Sequence, residues 1–241
     1  RGCLSASQWQ RLISALPVDR NVPLPRIKDS FSPALVVYAA FLFVIHFLLE
    51  PPTALQGFNY LAHGGYNATM SGQAELYRIL SYSWVHGNTT HLWANLVALV
   101  FIAQALGKSY SSATLVSVII VSAIISGVIG NLTKDFNVVV GASGAIMGMF
   151  GFFFAAQKAK DQRLNPLARI AHQKTLYVLL FVEVMLSLRY SWYGGTIHLV
   201  GIATGYGTYK LLAGCAITNR SQARVRFAIN ALGLVLFLSW V

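Results

Sequence analysis

Apolar residues along this chain gather into long, nearly unbroken runs instead of forming one stripe per helix. Six runs follow one another at 34–49, 92–106, 113–132, 138–156, 175–188 and 194–213, and a seventh starts near Phe227 and is still running at Val241. A helix that is apolar on every side is surrounded by lipid or enclosed by other helices. These runs approach the roughly 20 residues that cross a bilayer, although several fall short of it. Backbone groups in lipid must be bonded within helices or closed barrels, and no period-2 alternation points to a barrel. The pattern predicts an all-α fold, a polytopic transmembrane helical bundle. Its core is six spans over 34–215, preceded by a polar, Pro-containing tail at 1–33. A basic linker and a partial seventh span are expected over 216–241. The chain opens on Arg1 instead of Met and closes inside its last apolar run, so a longer parent chain is expected.

Composition strengthens this picture. Hydrophobic residues make up 56% of the chain and charged residues 10%, against about 25% charged in soluble domains. The net charge of +11 could suggest nucleic acid, but its distribution argues otherwise. Arg1, Arg11, Arg20, Arg26 and Lys28 precede the first run. Lys158, Lys160, Arg163, Arg169 and Lys174 lie around the connection from the fourth to the fifth, and Lys210, Arg220, Arg224 and Arg226 flank the end of the sixth. The alternate connections carry only Arg78, Lys134 and Arg189, and the second connection only Lys108. This is the positive-inside pattern, which puts the N-terminus and residues 157–174 in the cytoplasm. The basic loops then face anionic lipid headgroups, and no nucleic-acid partner is expected. Cys3 and Cys215 offer neither a disulfide framework nor a paired metal motif.

The long connection at 50–84 falls on the outer side by the same count. It mixes Phe58, Tyr60, Tyr66, Tyr77, Tyr82 and Trp84 with Gly64, Gly65 and Gly72. Such amphipathic aromatics favour the boundary between water and lipid, so a structured loop partly embedded in the membrane is expected.

Polar side chains inside the spans are costly in lipid and are candidates for function. The second span opens WVHGNTTHLWANLVALV, where His91 and Asn95 stand four apart on one helix face and His86 lies in the loop before them. The sixth reads GGTIHLVGIATGYG, with His198, Gly201 and Gly205 in one stripe. The fourth carries Gly144 and Gly148 at the same spacing, beside Ser143. Small residues let two helices approach closely, so spans four and six should pack through these stripes and bring Ser143 to His198. All these residues lie early in spans that start from the outer side, and so share one depth.

That set makes chemical sense. Ser143 is a weak nucleophile until a base such as neutral His198 takes its proton. A tetrahedral intermediate needs donors aimed at its oxyanion: the amide of Asn95, an imidazole N–H of His91 and the backbone N–H of Ser143. No carboxylate is spaced to orient His198, which leaves a Ser-His dyad. No cofactor and no metal site is expected.

At these residues the chain resembles the rhomboid intramembrane serine proteases. The match lies in GASG around Ser143, including Gly141, in HGNTTHLWAN over His86, His91 and Asn95, and in HLVGIATG from His198. Tyr77-Arg78 looks like the Trp-Arg pair of the family's first loop, at the expected spacing before His86. Each motif alone is weak; three in order, on the right spans and side, are strong. The resemblance implies Ser143 as nucleophile, His198 as base, and His91, Asn95 and the Ser143 amide as oxyanion hole. It also implies hydrolysis of peptide bonds in or near transmembrane segments of membrane-protein substrates. A bacterial cytoplasmic membrane, with the site towards the outer side, is the expected location.

Two positions depart from the family pattern. Met147 stands where a tyrosine often stacks on the catalytic histidine, and Tyr77 replaces a tryptophan; neither removes a group that does chemistry. His46 and His63 read as structural or interfacial, and Glu183 in the fifth span receives no role from the resemblance. The alternative function is a catalytically inactive rhomboid-like protein that binds transmembrane clients, which would predict loss of Ser143 or His198. A transporter would show repeats or a chain of ionisable residues, a metalloprotease HExxH, and an intramembrane aspartyl protease two aspartates within spans. Asp19, Asp29, Asp135 and Asp161 all lie in tails or loops.

Overall fold

In a computed structural model of the chain, the described residues are 32–49, 63–66, 75–107, 109–133, 139–164, 177–178, 181–182, 185, 194–212 and 219–240. Among them run seven helices: α1 Pro33–Leu49, α2 Arg78–Ser81, α3 Thr89–Leu106, α4 Ser112–Thr133, α5 Ser143–Lys158, α6 Gly195–Leu212 and α7 Asn219–Trp240. Extended backbone pairs once among the described residues, in an antiparallel bridge between Tyr66 and Val139. The protein is an all-helical bundle, as the apolar runs predict. Among the described residues, three stretches are long and apolar enough to cross a bilayer: Thr89–Leu106, Ser112–Gly130 and Ser221–Trp240. Of the fifth run, Tyr177, Val178, Phe181, Val182 and Met185 are described; all are helical and exposed. The tail with Cys3, together with Lys108, Lys134, Glu183 and Cys215, lies outside the described residues.

The last helix starts earlier than its apolar residues suggest. It runs for 22 residues, with Arg224 and Arg226 inside its first turns where a basic linker is expected. Arginine stems can lie along a helix while their guanidinium groups reach the headgroup layer, so a basic segment can open a span. The helix that results is a full crossing length.

At the centre stands α5, with Ile146, Met149, Phe150, Phe152 and Phe153 all buried. Its closest partner is α6, followed by α4 and α3. The close approach depends on glycine. A Cβ on Gly201 would press on the Gly144 carbonyl oxygen, one on Gly205 on that of Gly148, and one on Gly151 on the backbone of Ile202. The α4 side contributes Ser122 against Gly148 and Ser126 against Gly144. In lipid, where apolar burial gives helices no reason to associate, such backbone proximity and polar contact hold a bundle together.

The first turns of α5 and α6 meet through Ser143 and His198, and the first turn of α3 meets Gly141, so α3, α5 and α6 all begin at one end of the bundle. At that end Ser126 Oγ donates to the Ile197 carbonyl, 3.1 Å. At the opposite end Asp161 accepts from Tyr110 Oη and Tyr209 Oη, at 2.8 and 3.0 Å, and from the Arg163 guanidinium. Residues from the α3–α4 connection, the segment after α5 and the last turn of α6 are joined there. Above the first end lies a second small apolar cluster of Tyr66, Tyr82, Val139 and Ile197.

Candidate active site

Ser143 is the first residue of α5. The backbone reaches it through Gly141, whose φ of +113° is a left-handed conformation that glycine adopts without steric penalty. The residue before the helix, Ala142, supplies no side-chain cap. The first N–H groups of a helix have no acceptor within it, and they carry the positive end of its dipole. The Ser143 amide is therefore an available donor beside its own hydroxyl.

The Nε2 atom of His198 lies 2.6 Å from Ser143 Oγ. His198 is 7% exposed and sits in the first turn of α6, where its own N–H donates to the Gly194 carbonyl, 3.1 Å. The next turn down on α6 is Gly201. Met147, one turn below Ser143, faces it closely enough that a Cβ on Gly201 would lie 3.3 Å from the Met147 Cβ. Methionine therefore fills the seam between α5 and α6 just beneath the Ser143–His198 contact.

Asn88 caps α3 by accepting from the His91 N–H, 2.8 Å, which starts the helix so that His91 and Asn95 occupy its first two turns. The His91 ring lies against Gly141. A Cβ there would meet His91 Cε1 at 2.5 Å and Nε2 at 2.8 Å, two residues before Ser143. Asn95 is buried, and its Nδ2 donates to the His91 carbonyl, 3.0 Å. An amide nitrogen carries two hydrogens, so that bond leaves one for another acceptor. His86 is buried just behind, with Nδ1 donating to the Trp84 carbonyl at 3.3 Å and its ring edge-on to His91 at 5.2 Å. His46, from the end of α1, lies 6.4 Å from His86 and bonds Thr89 Oγ1 through Nε2, 3.2 Å. Thus Ser143, His198, His91, Asn95, Gly141 and His86 all gather at one end of the bundle. Gly144, Met147, Gly201 and Gly205 form the seam below.

The described carboxylates are engaged elsewhere. Glu75 accepts from Arg78 Nε at 2.6 Å, and that guanidinium holds its carboxyl below the usual range. Asp161 lies in the clamp at the far end. Among the described residues, no three His, Cys, Asp or Glu side chains converge as a metal site would require.

Several supports of the site carry no signal in hydrophobic patterning. The Tyr82 carbonyl accepts from the Gly141 N–H, 2.9 Å, while its hydroxyl donates to the Ala123 carbonyl, 2.8 Å. Tyr66 and Val139 exchange two backbone hydrogen bonds. Arg78 is buried and donates from Nη1 to the Gly65 carbonyl, 3.0 Å. The loop before α5 is thus tied to the long first connection, which the aromatic content of 50–84 marks as structured without saying what it grips.

The sequence profile of the Rhomboid domain matches residues 73–214. The chain belongs to the rhomboid family. It is 30% identical over 143 residues to YdcA of Bacillus subtilis (strain 168), whose name marks it as a candidate rhomboid protease, covering 59% of this chain and 69% of that protein. It is 31% identical over 77 residues to RHOMBOID-like protein 4 of Arabidopsis thaliana, and 31% over 81 residues to RHOMBOID-like protein 5 of the same plant. These matches cover 32% and 33% of this chain and 20% and 26% of the plant proteins. The rhomboid match begins just before Tyr77-Arg78 and ends past α6, so it takes in every residue of the site. As a rhomboid protein with apolar crossing helices, the chain is an integral membrane protein.

Proposed function

We propose that this rhomboid protein is an intramembrane serine endopeptidase, which hydrolyses peptide bonds in or near transmembrane helices through a dyad of Ser143 and His198. The observation that carries this reading is the 2.6 Å approach of His198 Nε2 to Ser143 Oγ. That distance is a hydrogen bond in which the imidazole can take the hydroxyl proton. Ser143 Oγ attacks the scissile carbonyl carbon as His198 accepts its proton. The negative oxygen that forms is met by the Ser143 N–H, the free Asn95 amide hydrogen and a His91 N–H. Collapse of the intermediate expels the amine, which takes the proton from His198, and leaves an acyl ester on Ser143. Water then attacks the ester with His198 as base again, and releases the acid and the restored serine.

The substrate is a transmembrane segment of another membrane protein, entering from the bilayer. An intact helix hides its carbonyls in hydrogen bonds, so cleavage favours segments that unwind easily. The charge distribution supports a site facing the side of the membrane away from the cytoplasm.

The test uses purified protein in liposomes with a transmembrane-helix substrate and a fluorescent fluorophosphonate. Cleavage and labelling by the parent are expected to vanish in Ser143→Ala and His198→Ala. A parent that neither cleaves nor labels would reject the protease reading in favour of client binding, and so would cleavage that persists in Ser143→Ala.

A further inference from the structure

One helix, α7, contributes no group to the chemistry of the site yet touches the segments that lead to it. Most of the far half of α7 faces outward: Leu232, Leu234, Val235 and Leu238 are exposed, with Leu236 buried. It nevertheless meets the bundle at defined places. Midway along, Asn230 Oδ1 accepts from Ser117 Oγ, 2.9 Å, and Gly233 lies so near α4 that a Cβ would meet Ile120 Cδ1 at 2.5 Å. At its end, Phe237 packs edge-on to Trp84 and Phe41, with ring centres 5.6 and 6.2 Å away. Trp240 packs on Trp84 at 5.1 Å. It also lies on the Gly64 turn (φ +101°), where a Cβ would meet its Nε1 at 2.9 Å.

Both places touched by this aromatic pair lead straight to the nucleophile. Gly64 is held by the Ser81 hydroxyl, which donates to its carbonyl at 2.9 Å, and two residues later Tyr66 bridges Val139. Trp84 follows Tyr82, whose carbonyl holds the Gly141 N–H, and precedes His86, which leans on His91. The loop at 139–142 therefore hangs from two anchors; the Trp240 indole lies against both, and the Phe237 ring packs on the second and on the indole itself.

We infer that α7 is a brace for the catalytic loop, with Phe237 and Trp240 as positioning residues that set the place of Ser143 through the Gly64–Tyr66 and Tyr82–Trp84 segments. This rests on the protease reading for its kinetic consequence but not for its structural one. Misplacement of a nucleophile by an ångström costs a large factor in rate while leaving substrate binding nearly intact.

The experiment compares the parent with Trp240→Ala, Trp240→Phe and Gly233→Val, which pushes α7 away from α4 without touching the loop. Leu238→Ala, on the exposed face of the same helix, is the control. Trp240→Ala and Gly233→Val are expected to slow fluorophosphonate labelling and kcat by about tenfold with KM unchanged, while Trp240→Phe restores the rate. Hydrogen exchange followed by mass spectrometry should show faster exchange of the peptide containing Val139 and Gly141 in the two slow variants only. Parent-like labelling and exchange in Trp240→Ala and Gly233→Val would overturn the brace, as would equal slowing by Leu238→Ala. If Trp240→Ala does not fold, Gly233→Val decides. If the parent fails to label or cleave, the protease reading falls, and the exchange result alone decides whether α7 braces the loop.

Discussion

Gly141 meets two demands that only glycine meets together. Its φ of +113° is closed to most L residues, and the His91 ring occupies the place of a Cβ. Forcing a side chain into the left-handed region costs about 1–2 kcal/mol, and the clash with His91 adds to it. Gly141→Ala is therefore expected to fold, because the strain is small beside the whole bundle. On the proposed mechanism it should nevertheless label with fluorophosphonate about 100-fold more slowly, since the Ser143 amide and hydroxyl are displaced together. Labelling near the parent rate would mean that the His91 ring moves aside freely and takes no part in the reaction. The pairing of Ser143 with His198 was legible in the sequence because polar groups in apolar runs stand out and topology gives them one depth. The special backbone at Gly141 was not. A GASG motif marks the position, but a φ value depends on what grips the loop, and the grip comes from Tyr82 and Tyr66, 59 and 75 residues away.

Spans four and six, now α5 and α6, show how far spacing can be read at the scale of an element. The stripes Gly144–Gly148 and Gly201–Gly205 predict close packing, and the helices meet through them. What spacing alone leaves out is the third participant. The third apolar run, α4, shows no obvious stripe, yet Ser122 and Ser126 fit against Gly148 and Gly144. Short serines pass for ordinary members of an apolar span because their hydroxyls can bond within their own helix. Glycines at the seam and off it should respond in opposite ways. Gly205→Val would drive a side chain onto the Gly148 carbonyl, where only backbone can yield, so a destabilisation of about 1–3 kcal/mol or more is expected, with loss of labelling. Gly207 has nothing within 4 Å of its Cβ direction. A helix-interior glycine is about 0.5–1 kcal/mol less favourable than alanine, so Gly207→Ala should keep its labelling and melt no lower than the parent. Thermal melts and probe kinetics on both proteins read the contrast. Equal behaviour of the two would show that the seam is loose.

For the molecule as a whole, the end that holds Ser143 and the clamp end are joined by α6. It carries His198 in its first turn and Tyr209 in its last, so the far clamp fixes the lower half of the helix that holds His198. Six of the apolar runs predict the long described helices and their order, but they predict neither the short α2 at Arg78–Ser81 nor this clamp. Asp161 reads as one more loop acid among basic neighbours until folding brings Tyr110 and Tyr209 to it. The acid response of the protein tests its contribution. Burial pushes the Asp161 carboxyl up, but the Arg163 side-chain and backbone hydrogen bonds, with that of Tyr110, outweigh it and hold the group at about 2 against an ordinary 3.8. A carboxyl whose folded value lies below its unfolded one stabilises the fold above the unfolded value, and that stabilisation disappears as pH falls through the folded one. The clamp is therefore complete at neutral pH and fails between about pH 4 and pH 2. Asp161→Asn keeps the shape but not the charge, and losing hydrogen bonds to a charged acceptor costs about 1.5–3 kcal/mol. Its thermal midpoint should lie several degrees below that of the parent at pH 7, and the gap should close as the parent is taken from about pH 4 to about pH 2. Melts in detergent at those three pH values measure it. A gap that stays constant into acid would mean that the Asp161 charge does not hold α6, and that the hydroxyls of Tyr110 and Tyr209 find equal partners in its absence.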